Sequence, residues 1–104
     1  MYTEKEEVNS DRAIRQTKIT NEFGGFFIST CNTPDHGRET MVFLIDKKGR
    51  VVNWLDLDCN RYDNDHEALQ GHIKMLDKWR KTITMLTDCT EFINDYVKLM
   101  NLGE

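Results

Sequence analysis

Three short apolar runs, rich in β-branched and aromatic side chains, alternate with turn residues in the first half of the chain. Runs of this length and composition, bounded by turn residues, are typical of β-strands. The turn segments between them, at residues 33–37 and 47–50, are short, and connections this short join antiparallel neighbours. The pattern therefore predicts a three-stranded antiparallel meander, with strands near residues 25–31, 40–46 and 51–58.

After the third run the apolar spacing changes to alternating three and four residues, which is the spacing of one helix face. Asn64 and Glu67 stand at the spacing of a capping box, so a helix is expected to begin there. The stripe that follows consists of Leu69, His72, Leu76, Trp79, Ile83 and Leu86. This stripe predicts an amphipathic helix that packs on the sheet.

A second apolar stripe runs from Cys89 to Met100 without an intervening glycine or proline. Asp88 and Glu91 form another capping pattern, which favours a separate helix, whereas the heptad spacing continues unbroken, which favours one long helix. The expected fold class is therefore α+β, with the meander followed by a C-terminal helix pair, or one long helix, packed on one face. We expect a single small domain over residues 1–104, with residues 1–8 as a mobile end.

The chain has 104 residues, with 14 basic and 18 acidic side chains and a formal net charge of −4. This balance excludes a strongly basic nucleic-acid binder, so direct binding of double-stranded DNA is not expected and anion recognition requires a local patch. Three cysteines are a poor disulfide framework, which favours a reducing compartment. No stretch is apolar enough for a membrane span or for the core of a signal peptide, so we expect a cytoplasmic protein without a membrane partner.

In a meander, the first connection, the end of the third strand and the start of the helix meet at one rim of the sheet. The rim residues that we select as candidate ligand-binding residues are His36, Arg38, Arg61 and His66. The planar guanidinium fork suits phosphate, so the expected ligand is anionic and Arg38 and Arg61 are expected to converge on it. The alternative is ordinary surface ion pairing with Asp35, Glu39 and Asp58.

The same rim carries thiols and imidazoles of the kind that bind zinc, namely Cys31, His36, Cys59 and His66. Four residues separate the first two and six separate the last two, which is wider than the usual spacing of paired ligands. No CxxC or HExxH pattern is present. We therefore prefer the alternative that the cysteines are small buried side chains at strand ends, and expect neither a metal nor another cofactor.

Two positions inside the helix stripe break its apolar character. His72 is expected to form a buried hydrogen bond to a strand, because buried polar groups are paired. Gly71 beside it is expected to allow close approach of the helix to the sheet or to a partner chain. Large apolar side chains further along are predicted to form a homo-oligomer interface, and these are Trp79, Ile83, Phe92 and Tyr96.

Two short motifs carry a resemblance to a known family. The sequence ETMVF at residues 39–43 and the sequence EALQGH at residues 67–72 resemble a family of small phage-encoded proteins with an "ETMVF" strand and an "EEAxxGH" helix start. The resemblance covers residues 29–72, and residues 64–66 depart from the threonine and glutamates that are usual there. It implies a phage origin, and no catalytic or binding residues can be carried over from it.

A phage origin implies three classes of function. Small phage accessory proteins often act as stoichiometric inhibitors of a bacterial antiviral defence system, anti-CRISPR inhibitors among them, by binding an effector protein or by sequestering its nucleotide signal. The chain has no nucleophile elbow and no glycine-rich phosphate loop, so this non-catalytic class is expected, acting in the host cytoplasm. The alternatives are a phage enzyme that degrades a nucleotide signal and a structural or regulatory phage protein without a defence target.

Overall fold

The computed structural model describes residues 1–7, 11–52, 54–87, 91, 92 and 94. Its elements, in chain order, are β1 (Thr3–Glu7), β2 (Ala13–Asn21), β3 (Gly24–Thr33), β4 (Gly37–Ile45), β5 (Asp58–Tyr62) and α1 (Asp65–Ile83). The strands form one antiparallel sheet in chain order, and α1 packs across one face of it. The α+β class and the antiparallel sheet are confirmed, but the sheet has five strands rather than three.

The strands β3 and β4 match the first two predicted strands, whereas the third predicted strand is wrong. Among the described residues of that run before Asp58, an isolated bridge joins Ile45 and Val51, and two backbone hydrogen bonds reach β4, from Val52 to Leu44 at 2.9 Å and from Leu57 to Val42 at 2.7 Å, but no continuous ladder forms. The Trp54 ring packs instead on the Phe43 ring, with centroids 5.2 Å apart, and regular pairing resumes at β5. The described residues of this apolar run therefore cover part of the sheet rather than extend it.

The strands β1 and β2 were not predicted, because neither has an apolar period of two. The edge strand β1 reads TEKEE and is largely exposed, and charges on an edge strand oppose pairing with another chain. In β2, Asn21 uses its amide to donate hydrogen bonds to the carbonyls of Ile83 and Leu86, both at 3.0 Å. Residues Thr3–Glu7 form the edge strand of the sheet, and the mobility expected for residues 1–8 stays a prediction.

The helix α1 begins where its capping pattern predicts. The Asn64 side chain accepts a hydrogen bond from the Glu67 backbone N–H at 2.9 Å, and the Glu67 carboxylate accepts one from the Asp63 backbone N–H at 3.2 Å. The one helix, α1, fits the alternative of a single helix better than that of a helix pair, although it ends at Ile83. The second helix predicted from Asp88 falls largely outside the described residues. In the described part of the chain, no helix is long and apolar enough to cross a membrane.

The predicted helix stripe forms most of the interface with the sheet. Of its members, Leu69 is 43% exposed and the other five are buried. Ala68, Gly71 and Met75 complete the buried face. The apolar side chains of the sheet in the same core are Ile19, Phe26, Ile28, Val42 and Leu44. The main core cluster therefore lies between α1 and one sheet face, while Phe43 and Ile45 are buried on the other face.

A chain of hydrogen bonds crosses this buried layer from one sheet edge to the other and passes through α1. Its members, in order, are Tyr62 (β5), Thr40 (β4), Thr30 (β3), His72 (α1), Thr17 (β2) and Glu6 (β1). The first four links measure 3.0, 2.5, 2.7 and 2.9 Å. The prediction that His72 bonds to a strand is confirmed, and its two ring nitrogens reach two strands.

The protonation of His72 follows from its neighbours. The Thr17 hydroxyl donates to the Glu6 carboxylate, so the Thr17 oxygen accepts from His72 Nε2–H. Burial, together with the charge of Arg15, lowers the pKa of His72 to about 4, against the opposing effect of Glu6. The ring is therefore neutral at pH 7, and its Nδ1 atom is a bare acceptor.

The acceptor role of His72 Nδ1 determines which of the remaining hydroxyls donates to which. Thr30 donates to His72 Nδ1 and accepts from Thr40, which in turn accepts from the Tyr62 hydroxyl. Each hydroxyl donates its proton in the direction of Glu6, and the three threonine hydroxyls each also accept one hydrogen bond. The buried polar layer is fully satisfied in this single arrangement.

Gly71 permits the close approach on which this chain depends. A Cβ atom at Gly71 would lie 2.1–2.3 Å from three atoms of the Tyr62 phenol. The phenol lies against the helix at Gly71, and its hydroxyl reaches Thr40 at 3.0 Å. The prediction that Gly71 allows close approach of the helix to the sheet is confirmed.

The pH dependence of stability should report the neutral state of His72. The folded protein disfavours the protonated ring. The neutral ring therefore contributes fully to the unfolding free energy above its ordinary pKa of 6.5, and this contribution is lost as the pH falls to about 4. We expect urea denaturation to show a loss on the order of 3 kcal/mol across this range. Carboxylates with a lowered pKa, such as Glu6, reduce the unfolding free energy only when the pH falls below about 4.5.

The variant His72→Phe should abolish this dependence above pH 4.5. It should also lower the unfolding free energy at pH 7 by about 1–3 kcal/mol, because Thr17 and Thr30 each lose a partner. His66 is exposed, so His66→Gln is the matched control and should keep the wild-type dependence. An unchanged slope in His72→Phe would contradict this assignment.

Alanine at position 71 should destabilise the protein, although alanine is the better helix former by about 1 kcal/mol. The new methyl group collides with the Tyr62 ring, and overpacking of this kind costs about 1–3 kcal/mol. Urea denaturation of Gly71→Ala should show a lower midpoint, with Lys74→Ala, an exposed change one turn away, as the control. A higher midpoint for Gly71→Ala would mean that the phenol does not occupy this position.

Candidate anion-binding site

The predicted rim exists as one corner of the molecule, where the β3–β4 turn, the end of β5 and the start of α1 lie together. The Arg38 guanidinium joins these elements, since its Nε is 2.5 Å from Asp65 Oδ1 and its Nη1 donates to the Asp63 carbonyl at 3.5 Å. His36 is exposed in the turn, and His66 is exposed on α1 beside Gln70, at 3.2 Å. The corner is therefore real, but its side chains are engaged with one another.

The two arginines of the corner do not converge, which corrects the expectation that they share a ligand. Arg38 stands opposite Tyr62 in the ladder, and Glu39 stands opposite Arg61. Opposed residues point to the same face of a sheet and successive residues point to opposite faces. Arg38 therefore lies on the α1 face, and Arg61 lies on the other face, where its Nε is 3.5 Å from Glu39 Oε2. Each arginine has its own carboxylate.

The four residues considered for zinc do not form a metal site. Within the described ranges, no group of three or more histidine, cysteine, aspartate or glutamate side chains is placed to hold a metal ion. The Cys31 thiol instead lies 3.3 Å from the Ser29 hydroxyl. Burial raises the pKa of the Cys59 thiol, and the neighbouring Glu39 charge adds to that effect. A raised pKa disfavours the thiolate that a metal requires.

The predicted oligomer interface is corrected for two of its four residues. Trp79 and Ile83 are 7% and 0% exposed, because they pack in the protein's own core. Phe92 is half-buried and packs edge-on against Phe26, with ring centroids 5.6 Å apart. Tyr96 lies outside the described residues. A homo-oligomer stays a prediction, and it no longer rests on Trp79 or Ile83.

The sheet face away from α1, called the open face below, carries a pocket lined by lysines. The cavity, about 270 Å³ in volume and called the lysine pocket below, is lined by Thr3, Lys5, Glu7, Lys18, Thr20, Lys47, Lys48 and Gly49. Lys5 and Lys18 stand directly opposite each other on β1 and β2. Lys47 and Lys48 come from the turn after β4, where Asp46 Oδ1 accepts from two backbone N–H groups. Three separate segments thus contribute four lysines to the lining of one cavity.

The charge of the lysine pocket is only partly neutralised. Lys18 Nζ lies 3.8 Å from Glu7 Oε1. For Lys5, Lys47 and Lys48, the described residues contain no carboxylate at salt-bridge distance. Because like charges held together repel one another, an anion bound among them would relieve that repulsion. The pocket is thus a candidate anion site in a chain whose net charge is −4.

Aromatic side chains border the lysine pocket on the same face. Lys18 Nζ lies 5.6 Å from the centroid of the Phe27 ring, within the range of a cation–π contact. Phe27 stands opposite Phe43 in the β3–β4 ladder, and Trp54 packs edge-on against Phe43. Trp54 remains 72% exposed. The open face therefore combines positive charge with an accessible aromatic surface.

Sequence reasoning did not find the lysine pocket, because its lysines are distant along the chain and β1 was not predicted. The available signal was the KKG turn at residues 47–49 together with the alternation that puts Lys18 and Phe27 on one face. Comparisons with protein-family models, with curated proteins and with solved structures give no match to this chain. The phage resemblance therefore stays an expectation.

The separation of the two arginines can be measured by a double-mutant cycle. Because Arg38 and Arg61 lie on opposite faces and have different partners, the unfolding free energies lost by Arg38→Ala and Arg61→Ala should add to within about 0.5 kcal/mol in the double variant. Urea denaturation of the four proteins provides the test. A coupling energy well above that value would show that the guanidinium groups share a site.

Proposed function

We propose that the protein is a stoichiometric, non-catalytic binder that holds a nucleotide in the lysine pocket and against the aromatic surface beside it. In a phage setting, such a binder would inhibit a bacterial antiviral defence system by sequestering its nucleotide signal. The observation that carries the proposal is the convergence of four lysines from three segments on one cavity, next to an aromatic surface that includes the exposed Trp54 ring.

The phosphate part of the proposal rests on charge. A surface lysine is ordinarily solvated and contributes little, but four lysines that line a cavity of about 270 Å³ would act together on a single anion. Glu7 pairs with Lys18, and the Asp46 carboxylate acts electrostatically on Lys48, so the local excess of positive charge comes mainly from Lys5 and Lys47. A compact polyanion such as a diphosphate fits this excess better than a single carboxylate does.

The base part of the proposal rests on the aromatic side chains. A nucleobase stacked on an aromatic ring gains about 1–3 kcal/mol without regard to its sequence identity. Phe27 lies next to Lys18, and Trp54 extends the aromatic surface into solvent. A ligand with phosphate at one end and a flat ring at the other matches both features. The side chains that line the pocket supply ammonium and hydroxyl groups and the Glu7 carboxylate, and the role that we propose for them is binding.

Calorimetric titration with pyrophosphate and with nucleoside diphosphates tests the proposal. We expect one ligand to bind per chain, and the double variant Lys47→Gln/Lys48→Gln to weaken binding about tenfold, or roughly 1.4 kcal/mol. Both lysines are exposed turn residues, so the fold should be unaffected. The matched control is Lys74→Gln/Lys81→Gln, which removes two exposed lysines from α1 and should leave the affinity unchanged.

Three outcomes would overturn the proposal. The first is the absence of binding of any of these ligands to the wild-type protein, and the second is an equal loss in the α1 control. The third is turnover of the ligand at catalytic ratios, which would favour the enzyme alternative. Co-elution with a host protein together with indifference to nucleotides would instead support the form of inhibitor that binds an effector.

A further inference from the structure

The lysine pocket is lined by hydrogen-bond acceptors as well as by lysines. The carboxylate of Glu7 and the hydroxyls of Thr3 and Thr20 belong to its wall. Thr3, Lys5 and Glu7 alternate along β1, so their side chains all point to the open face. A site for phosphate alone needs only donors, and a carboxylate in its wall repels the ligand. The Glu7 carboxylate therefore suits a ligand that carries hydrogen-bond donors next to its phosphates.

The Glu7 carboxylate lies at the surface of the cavity and is partly exposed. Its side chain is 17% exposed and lines the pocket. Its Oε1 lies 3.8 Å from Lys18 Nζ, which is the distance of an ion pair and longer than a hydrogen bond. A carboxylate has about four lone-pair sites, so an ion pair of this length does not exhaust its capacity to accept hydrogen bonds.

The Lys18 ammonium group joins the different surfaces of the pocket. Glu7 Oε1 lies 3.8 Å from Lys18 Nζ, and a Cβ atom at Gly49, in the turn after β4, would lie 3.9 Å from it. The centroid of the Phe27 ring lies 5.6 Å from the same nitrogen. A ligand bound beside Lys18 is therefore within reach of the turn, the carboxylate and the aromatic ring.

The charges within the pocket favour one orientation of a nucleotide. The excess positive charge comes mainly from Lys5 and Lys47, whereas Glu7 repels phosphate from its own end of β1. The hydroxyl oxygens of Thr3 and Thr20 are 3.1 Å apart and use one of their two protons between them, so the pair retains one proton for a phosphate oxygen.

The length of the pocket leaves room for a second group beyond the phosphates. Thr3 and Glu7 both line the cavity and are four residues apart on β1, which corresponds to about 13 Å at the rise of an antiparallel strand. A diphosphate beside Thr3 and Lys5 occupies only part of this length. The group that follows the phosphates in a nucleotide, the ribose, would therefore lie near Glu7.

We propose that the lysine pocket selects ribonucleotides over deoxyribonucleotides, an inference that rests on the proposed function. The 2′- and 3′-hydroxyl groups of ribose are adjacent donors that a single carboxylate can accept. Dinucleotide-binding sites use an acidic side chain on the 2′-hydroxyl in the same way, and this hydroxyl is the group by which proteins distinguish the two sugars. Glu7 is the specificity-determining residue.

Calorimetric titrations of the full chain with ADP, 2′-deoxyADP, 3′-deoxyADP and pyrophosphate test this selection. We expect the wild-type protein to bind ADP about tenfold more tightly than 2′-deoxyADP, as the loss of one hydrogen bond to a charged acceptor implies. The 3′-deoxy analogue lacks the other hydroxyl group and should also bind more weakly than ADP. Pyrophosphate reports the phosphate part of the pocket by itself.

The variant Glu7→Gln separates hydrogen bonding from charge. A neutral acceptor forms a hydrogen bond roughly half as strong, so the preference for ADP over 2′-deoxyADP should fall to about threefold. The variant also removes a negative charge from the pocket, so pyrophosphate and 2′-deoxyADP should bind at least as tightly as they bind to the wild-type protein. If Glu7 only neutralised Lys18, the affinities for ADP and 2′-deoxyADP would change by the same factor.

The matched control is Glu67→Gln, which removes the same charge at an exposed position on α1 and preserves a capping side chain. This control should keep the wild-type preference for ADP over its deoxy analogues. Pyrophosphate binding also reports whether Glu7→Gln is folded, and the comparison of the three nucleotides on the wild-type protein needs no variant.

The outcomes separate this inference from the proposed function. If pyrophosphate and all three nucleotides fail to bind, the proposed function fails and this inference fails with it. If they bind but ADP and its deoxy analogues bind equally, or if Glu7→Gln keeps the tenfold preference, ribose selection is wrong while the lysine pocket stands. A preference for 2′-deoxyADP would also overturn ribose selection.

Discussion

The arrangement of the molecule depends on the neutral imidazole of His72. It accepts from Thr30 and donates to Thr17, and so it ties α1 to two strands at once. Through the neighbouring hydroxyls, its two hydrogen bonds extend to Tyr62 on one edge strand and to Glu6 on the other. Because this polar layer is satisfied in one arrangement only, it fixes which sheet face α1 covers and how closely it packs.

Much of the helix side of the fold could be predicted from the sequence, because it rests on local rules. The Asn64 cap, the helix stripe and the roles of Gly71 and His72 follow from spacing and residue type. The strands β1 and β2 could not be predicted, since their contacts are largely polar and long-range. The apolar run at 51–57 misled the prediction, because a segment that covers a sheet has the composition of a strand.

The candidate site was predicted less well than the fold. The rim argument correctly brought the β3–β4 turn, β5 and the start of α1 together, as the contact of Arg38 with Asp65 shows. It did not consider strand alternation, which puts Arg61 on the opposite face. With one face occupied by α1 and its hydrogen-bond chain, the open face is where Lys18 and Phe27 meet solvent beside each other. The face that carries the hydrogen-bond chain is thus different from the face on which we propose that the ligand binds.

Mapping backbone amide shifts by NMR during a titration with a nucleoside diphosphate tests this separation most directly. The account predicts that the perturbed amides are confined to the open face, centred on Lys5, Lys18 and residues 47–49, with the α1 amides unchanged. Perturbations centred on the Arg38 corner or along the exposed side of α1 would contradict it.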